Sequence, residues 1–198
     1  MNNSAIIHAL TLITGIGNKT LRNLVAHFGN PLAVWEADEK SLLQVNGLGE
    51  KTVATFITER KSISPEKEWE KIINQNPDIN LFAFTDKNYP RLLKEIPDAP
   101  AIIYARGNYN WEEKPLIAIV GSRKFSSYGE QAAYRFASDL AGAGYVVVSG
   151  LALGIDSIAH KAAFEAGTPT IAVLGSGLDE RVMYPKENIE LSRKISAS

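Results

Sequence analysis

From residue 115 onward the chain alternates short β-branched runs with helix-spaced segments, and that alternation leaves few architectures open. The runs are PLIAIV at 115–120, YVVVS at 145–149 and TIAVLG at 170–175. The first is uninterrupted by polar residues, as suits a strand buried on both faces. After Ser127, the residues Tyr128, Ala132, Phe136 and Leu140 recur every four positions on one helix face, and Gly142 and Gly144 close that helix. Residues 155–166 read as a second helix and KENIELSRKI, at 186–195, as a third. Strand–helix–strand alternation of this kind predicts an α/β fold: a doubly wound parallel sheet with right-handed crossovers.

Each run ends in a loop of small residues: Gly121-Ser122-Arg123, then 149–154 (SGLALG), then Gly175-Ser176-Gly177. In an open parallel sheet the carboxyl ends of the strands share one edge, and ligands bind there. The three loops should therefore converge on one crevice. Its glycines, Gly121, Gly150, Gly154, Gly175 and Gly177, would admit a ligand to the backbone, and Ser126, Ser127 and Asp156 are candidate helix N-caps. Backbone N–H groups and positive helix ends suit an anion. Arg123 adds a guanidinium fit for phosphate, and Lys186, after the Tyr184-Pro185 turn, a second cation.

Sharper readings fail on spacing. A dinucleotide site needs G-x-G-x-x-G directly after the first strand, whereas the loop here is GSRKFSSYG. A Walker loop needs Gly-Lys-Ser/Thr, and GLGEKT at 47–52 interposes a Glu and follows no strand. Asp156 and His160 share a helix face and Ser149 is near, but the nucleophile elbow G-x-S-x-G is missing. The simpler reading makes Asp156 the cap of its own helix and His160 a packing residue. Two possible ligands without a third make no metal cage, so no metal is expected.

Residues 1–75 have a different texture. Apolar residues recur at helical spacing in IIHALTLI, LRNLVAHF and TVATFITE. Within them Gly15-Ile16-Gly17-Asn18-Lys19-Thr20 returns as Gly47-Leu48-Gly49-Glu50-Lys51-Thr52. In each copy a tight glycine turn plugs one apolar residue inward and opens a helix beside a Lys. This resembles a pair of helix-hairpin-helix motifs, a small all-α domain of the SAM-like kind. Such hairpins either grip DNA phosphates through Gly15, Gly17, Lys19, Gly47, Gly49 and Lys51, or serve only as a packing module. Glu36, Asp38, Glu39, Glu50 and Glu59 nearly cancel the local bases. The texture changes at 75–78, and INLFAFT and PAIIYARG, with a brief helix between them, open the second domain, 78–198.

Composition narrows the class further. Forty-five per cent of the residues are apolar and 22% charged, with net charge -1, so nucleic-acid affinity would have to come from a local cluster of cations. There are no cysteines, which removes disulfides, Cys-ligated zinc and thiolate catalysis. No apolar run approaches the roughly 18 residues that cross a bilayer, and MNNSAIIHALTLITG lacks a basic leader. The expected compartment is the cytoplasm.

With these loops on the page, the chain resembles the DprA/Smf family of bacterial DNA-processing proteins. The matching elements are YPRLLKEIPDAPAIIYARGN, IAIVGSRKFSSYG, VVSGLALGIDSIAHKAA and TIAVLGSGLDERVMYPKEN, in order from about 88 to 188. The resemblance implies a non-enzymatic adaptor without a cofactor, a helical domain followed by a Rossmann-like α/β domain. It would bind single-stranded DNA, protect it during natural transformation, load the RecA recombinase and dimerise. By motif, the DNA-binding arginine falls on Arg123, with Ser122, Ser127 and Gly150 lining the same pocket and Lys186 as the basic position after Tyr-Pro. The family normally continues past the Y-P-x-x-N element, so this chain is expected to be truncated, with an unpaired sheet edge, and dimerisation to depend on the missing part. Two other classes stand beside this one: a nucleotide phosphoribohydrolase similar to the LOG group, whose Pro-Gly-Gly-x-Gly-Thr loop is absent, and a purely structural or protein-binding module.

Overall fold

A computed structural model describes residues 2–107, 110 and 113–197. The chain divides into two compact units, Met1–Ala105 and Arg106–Ser198.

The first unit is built from α1 (Asn3–Thr11), α2 (Asn18–Phe28), α3 (Pro31–Glu36), α4 (Glu39–Leu42), α5 (Glu50–Arg60) and α6 (Pro65–Gln75), followed by β1 (Ile79–Ala83), α7 (Arg91–Lys94) and β2 (Ile102–Arg106). Local chemistry starts the helices. Asn2, Asn30, Asp38 and Ser64 each accept a backbone N–H of the first turn, and Pro31 and Pro65 occupy first-turn positions where no N–H is needed. Ile6, Ile7, Leu10, Leu21, Leu24, Val34, Leu42, Val53 and Phe56 fill the core. The Arg60 guanidinium donates to the carbonyls of Trp35 and Ala37, closing the end of α3, which has no cation of its own.

The packing divides the chain later than the change in texture at 75–78. β1 and β2 form a two-stranded sheet, and Ala83 in β1 and Ala101 just before β2 belong to the helical core. Polar bonds pin it there: Asn18 Oδ1 accepts the Ala101 N–H at 3.0 Å, and the Ser4 hydroxyl donates to the Asp86 carboxylate at 3.0 Å. His8 Nδ1 meets the Tyr104 hydroxyl at 2.8 Å, and burial pushes the imidazole below its ordinary pKa, against the opposing pull of Glu68.

The second unit runs β3 (Leu116–Ala118), α8 (Ser127–Gly142), β4 (Val146–Ser149), α9 (Ile155–Glu165), β5 (Thr170–Ala172), a 3-10 turn (Lys186–Asn188) and α10 (Ile189–Ser196). The sheet is parallel in the order β3-β4-β5, with Ile117 opposite Val147 and Val147 opposite Thr170. Parallel neighbours need crossovers, and α8 and α9 supply them. Both pack on β4 and on each other, around Ala137, Ala141, Val147, Ala159, Ala162 and Ala163. α10 packs beside β5, with Leu191 against Leu151 and Met183.

Two expectations change here. The packed stripe of α8 is Ala133, Ala137 and Ala141, one position away from the stripe of large residues, and Tyr128 and Phe136 are exposed. Alanines on both helices let α8 and α9 approach closely, and large rings would hold them apart. Nor is PLIAIV buried on both faces: Leu116, Ala118 and Val120 are exposed. α8 and α9 cover the Ile117–Val147 face, and β3 is the end strand of the three.

Candidate functional site

The loop from β4 to α9 decides what the sheet edge can offer. Gly150 leaves the strand, Leu151 follows at φ +55° with its side chain buried, and Gly154 stands at φ +87° before the helix. A Cβ on Gly154 would lie 2.4 Å from the Ser122 carbonyl and 2.8 Å from Arg123 Cα. One on Gly121 would lie 2.8 Å from the Ile155 side chain. Ile155 N–H donates to the Ser122 carbonyl at 3.2 Å. These glycines therefore let two loops lie directly on each other rather than holding a gap open for a ligand.

Asp156 holds the pair together, and this corrects its assignment as a cap of its own helix. The N-cap residue is Gly154, which lacks a side chain to bond. Asp156 lies in the first turn, 6% exposed, and its carboxylate reaches back along the loops. One oxygen accepts Gly121 N–H at 3.4 Å; the other accepts Gly150 N–H at 3.1 Å and Ala152 N–H at 3.4 Å. The cradle expected to meet a ligand anion is occupied by an internal one. Two residues that sequence reasoning passed over complete the staple. The Ser157 hydroxyl donates to the Ala152 carbonyl at 2.6 Å, and the two N–H bonds of the buried Asn188 amide go to the Leu151 carbonyl and Ser157 Oγ at 2.8 Å, with the Ala152 carbonyl sharing them at 3.2 Å. The Asn of YPKEN was the only signal, and the first-turn Ser carried none.

The remaining candidates sort by burial. Ser149 is 3% exposed and donates to the Ile119 carbonyl at 2.6 Å, so its hydroxyl is committed inside the sheet. Ser126 caps α8 by accepting Gly129 N–H, and Ser122 Oγ accepts Lys124 N–H at 3.1 Å. Arg123, Lys124, Ser127, Gly175, Gly177 and Lys186 are exposed. Gly175 has open space where a Cβ would point. The loop after β5 is tied to β4 by Val173 N–H on the Ser149 carbonyl, and to the Tyr184-Pro185 turn by Tyr184 N–H on Ser176 Oγ.

Cations near this edge fall into two sets. Arg181 is paired with Asp179 at 2.5 Å, which holds that carboxyl at about 2, and Arg193 is paired with Glu180 at 2.7 Å and with Glu190. Arg123, Lys124 and Lys186 have no acidic partner among the described residues. The first loop thus presents exposed positive charge on a pinned backbone.

His160 is fully buried. Its Nδ1 meets Thr170 Oγ1 at 2.8 Å, and Thr170 donates in turn to the Val147 carbonyl at 2.6 Å. Burial lowers its pKa to about 4, with Asp156 pulling the other way. It ties α9 to two strands.

In the first unit the two hairpins have the same geometry. Gly15 and Gly47 adopt φ +86° and +85°, and Gly17 and Gly49 are the N-cap residues of α2 and α5. Ile16 and Leu48 plug the core, while Lys19 and Lys51 are exposed. A Cβ on Gly15 would touch Thr52 at 3.4 Å, so the turns lie side by side. Thr14 N–H is already bound to a Glu59 carboxylate oxygen at 2.7 Å.

Comparison with known proteins places this arrangement. The family model for DNA recombination-mediator protein A matches residues 80–198, and that for the SAM-like helix-hairpin-helix tandem matches residues 7–62. Protein Smf of Synechocystis is 34% identical over 96% of this chain, and DNA processing protein DprA of Streptococcus pneumoniae 44% identical over 58% of it. The chain spans 48% and 39% of those two relatives. Among solved structures, the X-ray structure of the S. pneumoniae protein matches with TM-score 0.81 and 29% identity, covering 98% of this chain and 65% of that one. A structure of DNA processing protein A from Helicobacter pylori, described for its single-stranded DNA binding mode, matches with TM-score 0.51 and 30% identity, covering 60% of this chain and 51% of that one. The loops that Asp156 pins and the paired glycine hairpins lie within the two matched segments, and the chain belongs to the DprA/Smf family of DNA-processing proteins.

Proposed function

We propose that the second unit binds single-stranded DNA along the edge where β3, β4 and β5 end, with Arg123 as the central phosphate contact and Lys124 and Lys186 beside it. The observation that carries this reading is the pinned first loop, on which Arg123 and Lys124 stand exposed and without an acidic partner among the described residues while Asp156 takes up the nearby N–H groups. Side-chain cations on a rigid backbone grip phosphates without reading bases, which suits a sequence-tolerant binder. The single-strand binding of the H. pylori relative supports the same reading. The activity proposed is binding rather than catalysis, a reading supported by the commitment of Ser149 to the Ile119 carbonyl and of His160 to Thr170. The wider role proposed with it is protection of incoming strands in the cytoplasm and their delivery to the RecA recombinase by a dimer. Ser122, Ser127, Gly175 and Gly177 line the strand's path, and the hairpins with Lys19 and Lys51 are a secondary contact.

Anisotropy of a labelled oligothymidine, titrated with the chain and with Arg123→Ala, tests this. The parent should prefer single strands to duplex, and the variant should bind about tenfold more weakly, as for one charge-assisted hydrogen bond. An unchanged affinity would place the contact elsewhere.

A further inference from the structure

We propose that the rings of Phe125 and Tyr128 form a base-stacking platform beside the Arg123–Lys124 cations, an assignment that rests on the single-strand reading above. Tyr128 is 81% exposed and Phe125 44% exposed, although each would gain by burial. Among the described residues nothing holds the Tyr128 hydroxyl. Tyr134, further along the same helix, contrasts with it: its hydroxyl donates to Glu165 on α9 at 2.8 Å.

The platform is rigid where a stacking surface needs rigidity. Ser126 caps α8 on Gly129, and the preceding loop is wedged against Ile155 at Gly121. A Cβ on Gly129 would lie 3.8 Å from Phe125 Cβ, so the Phe125 stem runs against the first turn that carries Tyr128. An aromatic side chain has two torsions to immobilise, so holding a base on it costs little entropy. Two exposed cations and two solvated rings within residues 123–128 are what a strand with phosphates on one side and bases on the other requires. The overall charge of -1 makes this local concentration of positive charge the more specific.

Stacking and phosphate contact separate when the bases are removed. The parent, Tyr128→Ala, Phe125→Ala and Tyr128→Phe should each be titrated against a labelled oligothymidine and against an abasic deoxyribose-phosphate oligomer of the same length. The parent should hold the oligothymidine more tightly than the abasic oligomer. Tyr128→Ala should lose about fivefold to 150-fold on oligothymidine, the range for one stacked base. It should change little on the abasic oligomer, and Tyr128→Phe should restore parental binding. At such exposure the alanine variant keeps its fold, which an unchanged thermal midpoint would verify. Equal binding of both oligomers by the parent, or an equal loss on both in Tyr128→Ala, would overturn the platform and leave the phosphate site standing. A parent that binds neither oligomer would overturn the single-strand reading and the platform with it.

Discussion

Replacing Asp156 with alanine tests whether an internal carboxylate organises the sheet edge. The change strips acceptors from the N–H groups of Gly121, Gly150 and Ala152. The bond to Gly150 is 3.1 Å and should count as an ordinary charge-assisted one, while the two at 3.4 Å are at the long limit. Counting about 2 kcal/mol for the first and about 1 kcal/mol for each of the others, less the relief of desolvating a carboxylate, leaves a net loss of about 3 kcal/mol. Asp156→Asn retains one acceptor oxygen. Turned toward Gly150 and Ala152, that oxygen loses the Gly121 bond and the charge assistance at Gly150, for about 2 kcal/mol. Amide hydrogen exchange by mass spectrometry reads this locally. In the alanine variant, exchange at Gly150 and Ala152 should quicken by about a hundredfold, and the asparagine variant should fall between it and the parent. If Asp156 served only its own helix end, exchange would rise in the first turn of α9 instead, by about 1 kcal/mol or less. Parental exchange at Gly150 and Ala152 in the alanine variant would refute the staple.

Gly154→Ala should cost about 3 kcal/mol and lower the thermal midpoint by roughly 10 °C, because φ is +87° and the new Cβ would meet backbone at 2.4 Å; Gly175→Ala, facing open space, is the neutral comparison. His160 titrates at about 4 when folded, below its ordinary 6.5, so between those pH values the unfolded chain binds the extra proton. Stability from this residue is therefore full above pH 6.5 and falls as pH drops toward 4, by up to about 3 kcal/mol. Urea unfolding across that range should show the slope, and His160→Gln should flatten it.

The elements that sequence reasoning reaches are those whose signal is local. The runs at 115–120, 145–149 and 170–175 each contain a strand, and the repeated Gly-x-Gly turns fold alike because a left-handed first glycine is a demand of the turn itself. What escapes depends on partners far away in the chain. Helix α8 carries two overlapping apolar stripes, and the small one packs because α9 presents Ala159, Ala162 and Ala163 to it. Spacing alone favours the larger residues. β1 and β2 read as part of the later domain, and what attaches them to the helices is distant in sequence: the packing of Ala83 and Ala101 into the helical core and bonds such as Asn18 to Ala101 and Ser4 to Asp86. An acid in the first turn of a helix looks the same whether it serves that helix or reaches back to two loops, so the role of Asp156 was beyond reach. The exposure of Tyr128 was hidden likewise, since its spacing with Phe136 matches a packed face.

The tethered carboxylate also decides what kind of anion the edge can take. In folds that bind dinucleotides, loop N–H groups and a helix N-terminus receive the pyrophosphate. Here a small phosphate seeking that cradle must displace a group fixed beside it by the chain, an intramolecular competitor at high effective concentration. A polymer held by side-chain cations faces no such competitor, because Arg123, Lys124 and Lys186 are exposed and lack acidic partners, Asp156 included, among the described residues. The distinction appears in salt dependence. Each phosphate neutralised by a cation releases counterions and contributes about 0.7 to the logarithmic salt slope on a single strand, so three cations give a slope of about -2. Arg123→Ala should weaken binding and also flatten that slope by about 0.7, whereas a loss transmitted through loop packing would weaken binding at every salt concentration alike. A variant with reduced affinity and the parental slope would mean that Arg123 shapes the loop and that some other group neutralises the phosphate.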